Sequence, residues 1–154
     1  MKITYLIGDA TAPISTKGDK LILHVCNDVF AWGAGFVLAL SRKWDAPEIA
    51  YRSMDNLEMR QGYVQFIGVE KDITVCNMVA QNGIHNINNT KPINYYSIAV
   101  CLHQANKFAI KNNATIHAPR FGSGLAGGDW NIIENIIKQF VTVDVFIYDL
   151  PIKK

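Results

Sequence analysis

Pro119-Arg120-Phe121-Gly122-Ser123-Gly124-Leu125-Ala126-Gly127-Gly128-Asp129-Trp130 joins a β-branched run to an amphipathic helix. Glycine reaches backbone conformations closed to other residues and lets a ligand come close to the main chain. Backbone N–H groups at such a turn, backed by a helix N-terminus, form an anion site. A second turn of this kind, Gly33-Ala34-Gly35-Phe36, lies earlier in the chain and also precedes a helix. Two such loops point to a ligand with two phosphates, or with one phosphate and a polar sugar.

Outward from these loops the chain alternates strands and helices. Residues 2–7, 20–26, 63–69, 72–79, 114–118 and 143–149 are rich in Ile, Val, Leu and Thr and are predicted as strands. Residues 35–43 and 130–140 are predicted as helices, the second with Asp129 as its N-cap. Pro47-Glu48 starts a further helical turn through Arg52. Pro92 opens a long helix to about Asn112, with Ile98, Cys101, Leu102, Ala105, Phe108 and Ala109 on its apolar face. Residues 82–91, rich in asparagine and carrying His85, bury little and read as a mobile, exposed loop. The pattern fits an α/β fold, a three-layer α/β/α sandwich with a mixed central sheet, over one domain spanning residues 1–154. In such folds ligands bind beyond the carboxyl ends of the strands. Asp9, Asn27, Gln81 and the Gly122 loop all come directly after strands and converge on one rim.

Composition narrows the function classes. A net charge of +2, with basic pairs only at Arg42-Lys43 and Lys153-Lys154, provides no patch for a nucleic-acid backbone. No direct nucleic-acid binding is expected. The longest uncharged apolar stretch, Val29 to Leu40, contains two glycines and is too short for a membrane span, so no membrane partner is expected. The N-terminal apolar run, Ile3 to Ile7, is too short for a signal peptide. Cys26, Cys76 and Cys101 are odd in number and lack metal-binding spacing. Together these readings place the chain in the cytoplasm and predict no metal and no cofactor.

Gly122-Ser123-Gly124-Leu125-Ala126-Gly127 matches GxGxxG, and Asp149 lies about 20 residues on, as in a dinucleotide fingerprint. That fingerprint normally opens a domain with several strands behind it. Here only one strand remains, which argues against a nicotinamide enzyme.

The full set of segments has another reading. Gly8-Asp9-Ala10-Thr11, His24-Val25-Cys26-Asn27-Asp28, Trp32-Gly33-Ala34-Gly35-Phe36, the Pro119–Trp130 stretch and Val145-Phe146-Ile147-Tyr148-Asp149-Leu150 occur in that order. In order and spacing the chain resembles a macrodomain, the ADP-ribose-binding module. It is most similar to the branch of the yeast ADP-ribose 1''-phosphate phosphatase and the terminal ADP-ribose protein glycohydrolases.

The resemblance implies a role for each segment. Asp9, beside Ala10, accepts a hydrogen bond from the adenine amino group, a task that suits a carboxylate; otherwise it caps a turn. Asn27 holds the distal ribose, or else forms an Asx turn. Gly33, Ala34, Gly35 and Phe36 lie against the distal ribose and diphosphate. Gly122, Ser123, Gly124, Leu125 and Ala126 bind phosphate through their backbone. His24 is the candidate catalytic residue, as nucleophile or acid–base, against the alternative of a buried structural histidine. Asp129 is a weaker second candidate beside its capping role. His85 is read as solvent-exposed, and His103 and His117 as structural or surface groups. Trp32, Trp44 and Trp130 are read as core.

The chain departs from the glycohydrolase branch at two places. Gln81 stands where that branch has a catalytic Lys, and Ala126 where it has an Asp. The implied activity is hydrolysis of ADP-ribose 1''-phosphate to ADP-ribose and phosphate. The alternatives are a non-enzymatic reader of ADP-ribose, and a hydrolase that removes ADP-ribose from protein, nucleic acid or O-acetyl-ADP-ribose. ADP-ribosylated macromolecules are thus possible partners.

Overall fold

A computed structural model describes residues 1–152; the Lys153-Lys154 pair lies outside the described residues. The elements in chain order are β1 (Ile3–Ile7), β2 (Asp19–Asn27), α1 (Phe36–Lys43), α2 (Ala46–Arg52), β3 (Val64–Glu70), β4 (Ile73–Gln81), α3 (Tyr95–Lys111), β5 (Ala114–Ala118), α4 (Trp130–Phe140) and β6 (Val145–Asp149). The six strands form one sheet in the order β1-β6-β5-β2-β4-β3. Every neighbouring pair is parallel except β3 with β4, so the sheet is mixed.

Strand alternation assigns the two faces. Leu21 and Leu23 of β2, with Cys76 and Met78 of β4, pack against Ile98, Cys101, Leu102 and Ala105 of α3 and Ile133 and Ile137 of α4. Ile22 and Cys26, with Val75 and Val79, pack against Val37 and Leu40 of α1 and Tyr51 of α2. β2 and β4 are therefore apolar on both faces, as central parallel strands are, and the expected three layers are present. No helix among the described residues is long and apolar enough to cross a membrane.

The main boundary shift is at α3, which begins at Tyr95 rather than Pro92. The Asn94 side chain accepts the Ser97 N–H and caps the helix. Residues 92–94 are drawn out to bind neighbours instead: Pro92 O accepts Asn82 N–H, Ile93 N–H donates to Ala126 O, and Asn94 N–H donates to Ala80 O. The late glycine loop and the asparagine loop are thereby tied together.

Residues 82–91 are exposed, as composition suggests, but they are not featureless. Asn86 and Asn89 exchange two backbone bonds. Asn89 Nδ2 donates to Asn82 O at 2.8 Å and Ile84 O at 3.0 Å.

Candidate functional site

All five parallel-paired strands point their carboxyl ends at one rim, where loops form a continuous groove. Its Asp9 end is lined by Gly8, Asp9, Ala10, Arg42, Tyr148 and Leu150. The middle is lined by His24, Gln81, Arg120, Gly122, Gly124, Leu125 and Ala126. The Asn27 end is lined by Asn27, Trp32, Gly33, Ile84 and His85. Gly35, Phe36 and Pro119 are common to the Asp9 end and the middle. Val25, Ala34, Val37, Gln81 and Leu125 are common to the middle and the Asn27 end. The segments hold about 420, 180 and 290 Å³ in that order. The middle segment, which joins the other two, is the smallest of the three.

Two rows of backbone donors border this middle segment. The N–H groups of Gly33, Ala34, Gly35 and Phe36 meet no acceptor among the described residues, and neither do those of Gly122, Gly124, Leu125 and Ala126. All eight residues line the groove. The first row runs into α1, whose N-cap is Gly35, with no side-chain cap and no acidic residue in the first turn. An uncapped N-terminus facing a second row of free amides is a concave anion site. Gly127 N–H to Gly124 O and Gly128 N–H to Gly122 O hold the second row in shape.

The individual side chains divide more sharply than the sequence shows. Asp9 is exposed; its Oδ1 accepts both the Thr11 N–H and the Thr11 hydroxyl at 2.8 Å. It therefore caps its own turn, and Oδ2 has no partner among the described residues. Asn27 is an organiser of its loop. Its Oδ1 accepts from Val29 N–H, Ala31 N–H and the Tyr51 hydroxyl, and its Nδ2 donates to Ala31 O. One N–H of Nδ2 is left for a ligand.

His24 is 1% exposed, beneath Trp32 and Phe36. Asn77 Nδ2 donates to Pro47 O and Gln65 Oε1, so Asn77 turns its Oδ1 to His24, and Nε2 of His24 carries the proton. Burial drives its pKa down to about 4, against the opposing effect of the Asn77 bond. His24 is therefore a neutral imidazole at the groove floor. Its Nδ1 meets only the Cys26 sulfur, at 4.0 Å. Its burial and its bond to the Asn77 side-chain amide fit the buried structural alternative as well.

Two expected site residues fall outside the groove. Asp129 is not among the lining residues. Its carboxylate accepts Asn131 N–H at 2.8 Å and caps α4, so the structure gives it the capping role. Ser123 turns its hydroxyl back to Arg120 O at 2.7 Å and also stands outside the lining. Asp149, the apparent fingerprint carboxylate, holds Arg120 through two bonds of 2.7 and 3.0 Å. That pairing engages both its oxygens, which weighs further against the dinucleotide reading. Cys26, Cys76 and Cys101 are free and buried.

No family model matches the chain. It is 28% identical over 146 residues to the chromodomain-helicase-DNA-binding protein 1-like of Danio rerio; the match takes in 89% of this chain but only 14% of that protein. It is 27% identical to an uncharacterised 17.5 kDa protein of Enterobacteria phage T4, over 97% of each. Among solved structures, a protein of unknown function from Bacteroides thetaiotaomicron superposes with a TM-score of 0.93 at 46% identity, covering 97% of this chain and 99% of that one. The macrodomain protein of Streptomyces coelicolor superposes with a TM-score of 0.82 at 42% identity, over 96% of this chain and 99% of that one. This chain is a macrodomain. Thermosipho africanus DarTG, solved in complex with ADP-ribose, shares the fold at 15% identity with a TM-score of 0.76, over 99% of this chain and 42% of that one.

The macrodomain's groove also contains residues that the sequence did not single out. Tyr148 lies in the lining at the Asp9 end, and its ring is 3.5 Å from where a Cβ on Gly8 would sit. Alternation along β6 was the available signal, since Tyr148 is the last buried residue before the rim. Arg42 is exposed at the same end. His85 is exposed as read, yet it lies in the lining at the Asn27 end. No local pattern marks it, because its position depends on how the asparagine loop folds back.

Proposed function

We propose that this macrodomain binds ADP-ribose along the groove and hydrolyses ADP-ribose 1''-phosphate to ADP-ribose and phosphate. The observation that carries the reading is the pair of facing rows of unpartnered N–H groups at the middle segment. A diphosphate bridging two wider pockets matches that arrangement. Adenine sits at the Asp9 end, where Oδ2 accepts its amino group. The distal ribose sits at the Asn27 end, against Gly33 and the remaining Asn27 N–H. The ADP-ribose bound to Thermosipho africanus DarTG supports the choice of ligand. The buried free thiols support a reducing compartment, and we place the protein in the cytoplasm.

Isothermal titration with ADP-ribose, AMP and NAD tests the binding. Micromolar ADP-ribose affinity, with weaker AMP binding and little response to NAD, is expected. Absence of ADP-ribose binding removes the assignment.

A non-enzymatic reader is the second reading. It is favoured by the enclosed neutral His24, with Gln81 and Ala126 in place of a Lys and an Asp. It predicts the same titration with no phosphate released from ADP-ribose 1''-phosphate.

A further inference from the structure

Hydrolysis at the distal ribose needs a group that can move a proton near it, and the Asn27 end of the groove offers few. Cys26 is buried, and burial pushes its thiol far above the ordinary range. His24 belongs to the middle floor, with Nε2 spent on Asn77. No Lys or Arg is among the residues lining that end. Asp28 is next to Asn27 in the chain, but both its oxygens are engaged: Oδ1 accepts Gly83 N–H at 2.8 Å and Oδ2 accepts Gln61 Nε2 at 3.0 Å. His85 is the other titratable side chain in the lining. Its imidazole has no hydrogen-bond or ion-pair partner among the described residues.

The same bonds that occupy Asp28 hold His85 in place. Gly83 is bound on one side by Asp28 and on the other by Gln81 Nε2, which donates to Gly83 O at 3.0 Å. Asn89 binds Asn82 O and Ile84 O across the loop. His85 thus stands on a pinned segment at the groove mouth, unlike a side chain on a free connector.

We propose that His85 is the proton-transfer residue for hydrolysis at the distal ribose. The assignment rests on the ADP-ribose reading above. The neutral imidazole takes a proton from water as the water oxygen bonds to phosphorus of the 1''-phosphate. The bond from phosphorus to the ribose oxygen breaks, and its electron pair stays on that oxygen. The imidazolium then returns the proton to the same oxygen, giving ADP-ribose and inorganic phosphate. While protonated, His85 is also the cation of that end of the groove, facing the phosphoryl charge. General acid–base groups contribute roughly 10²–10⁴-fold in rate.

The test is phosphate release from ADP-ribose 1''-phosphate by wild type, His85→Ala and His85→Gln, with ADP-ribose titrated into each. His103→Ala, on the exposed face of α3, serves as a neutral control. A fall in kcat of about 100-fold or more in both His85 variants, with ADP-ribose affinity within about threefold of wild type, supports the assignment. A kcat within about threefold of wild type overturns it. Wild type that binds ADP-ribose but releases no phosphate overturns it too, and leaves the binding site standing. Wild type that binds no ADP-ribose overturns both.

Discussion

The hydroxyl of Tyr148 donates to Nδ1 of His117 at 2.8 Å and accepts the Ile14 N–H at 2.9 Å. The far nitrogen of His117 donates to the Thr115 hydroxyl at 2.8 Å, which meets Thr16 at 3.0 Å. This buried chain fastens the loop between β1 and β2 to the sheet at two points. Asp9 and Ala10 begin that loop, so the relay sets where the Asp9 end of the groove lies.

Replacing Tyr148 with Phe keeps the ring against Gly8 and deletes both hydroxyl bonds. It also leaves His117 Nδ1 buried without a donor. The expected loss is about 1–3 kcal/mol of stability, read by chemical denaturation. With adenine at the Asp9 end, as proposed, AMP affinity is expected to fall with it. Unchanged AMP binding would separate the relay from the ligand site.

His24 and His117 set the response to acid. Burial lowers both to about 4, with the Lys20 charge assisting at His117. An unfolded histidine titrates near 6.5. Below that pH the unfolded chain binds protons that the folded chain refuses. Stability is therefore full above about pH 6.5 and declines as the pH falls to about 4. Each histidine contributes up to about 3 kcal/mol of the decline, at roughly 1.4 kcal/mol per pH unit. Thermal melts between pH 7 and pH 4 should show a steady fall in Tm. His117→Gln should flatten part of it. A Tm that is level over this range contradicts the assignment.

Asp149→Asn breaks the ion pair with Arg120 while keeping a side chain of the same shape. Both members are more than a third exposed, so the stability change is expected below about 1 kcal/mol. Arg120 holds Asp149's carboxyl below the usual carboxylate range, so the pair's contribution is present at neutral pH and lost in acid. Arg120 lines the groove and lies over the rings of Tyr5 and Trp130. Freeing it should alter ADP-ribose affinity more than Tm, which titration and melting of one sample compare directly.

Two glycines separate ligand approach from backbone geometry. Gly127 has φ +73°, and a Cβ there would lie 2.6 Å from Thr90 O. Gly127→Ala should cost about 1–3 kcal/mol. Gly33 lines the groove with nothing within 4 Å of a would-be Cβ. Gly33→Ala should therefore fold normally and bind ADP-ribose about tenfold more weakly or worse, a loss of about 1.4 kcal/mol. Equal affinity in Gly33→Ala would place the ligand elsewhere.

Elements and layers were legible because they arise from periodicity. β2 and β4 read as strands from their β-branched runs, and α4 from its capping Asp129 and apolar spacing. The α3 start was misplaced because Pro92 is as compatible with extended chain as with a first helical turn, and the bonds that decide it come from Asn82, Ala80 and Ala126. The rim was legible from the residues at the carboxyl end of each strand: Asp9 after β1, Asn27 closing β2 and Gln81 closing β4. The state of those side chains was not. The Asn27 oxygen is engaged in part by Tyr51, which is 24 residues away; Asp149 is taken by Arg120, 29 residues away. His85 gains its place through Asp28, Gln81 and Asn89. Such partners are set by tertiary folding, which leaves no local trace.

The strand order has a consequence for synthesis. β1 pairs along one edge with β6 alone, and β6 is the last strand of the chain. During synthesis β1 is made before every other strand of this sheet, and its partner after them all. Its neighbour on the sheet arrives only with residues 145–149. The Asp9 end of the groove, with Tyr148 in its lining, therefore draws on the first and the last strand of the sheet, and pairing over so long a span is intrinsically slow. A nascent chain can hold the β2–β4 pair while the Asp9 end of the groove does not yet exist. Any ligand that needs the Asp9 end can bind, and stabilise, only a molecule in which β1 and β6 have paired.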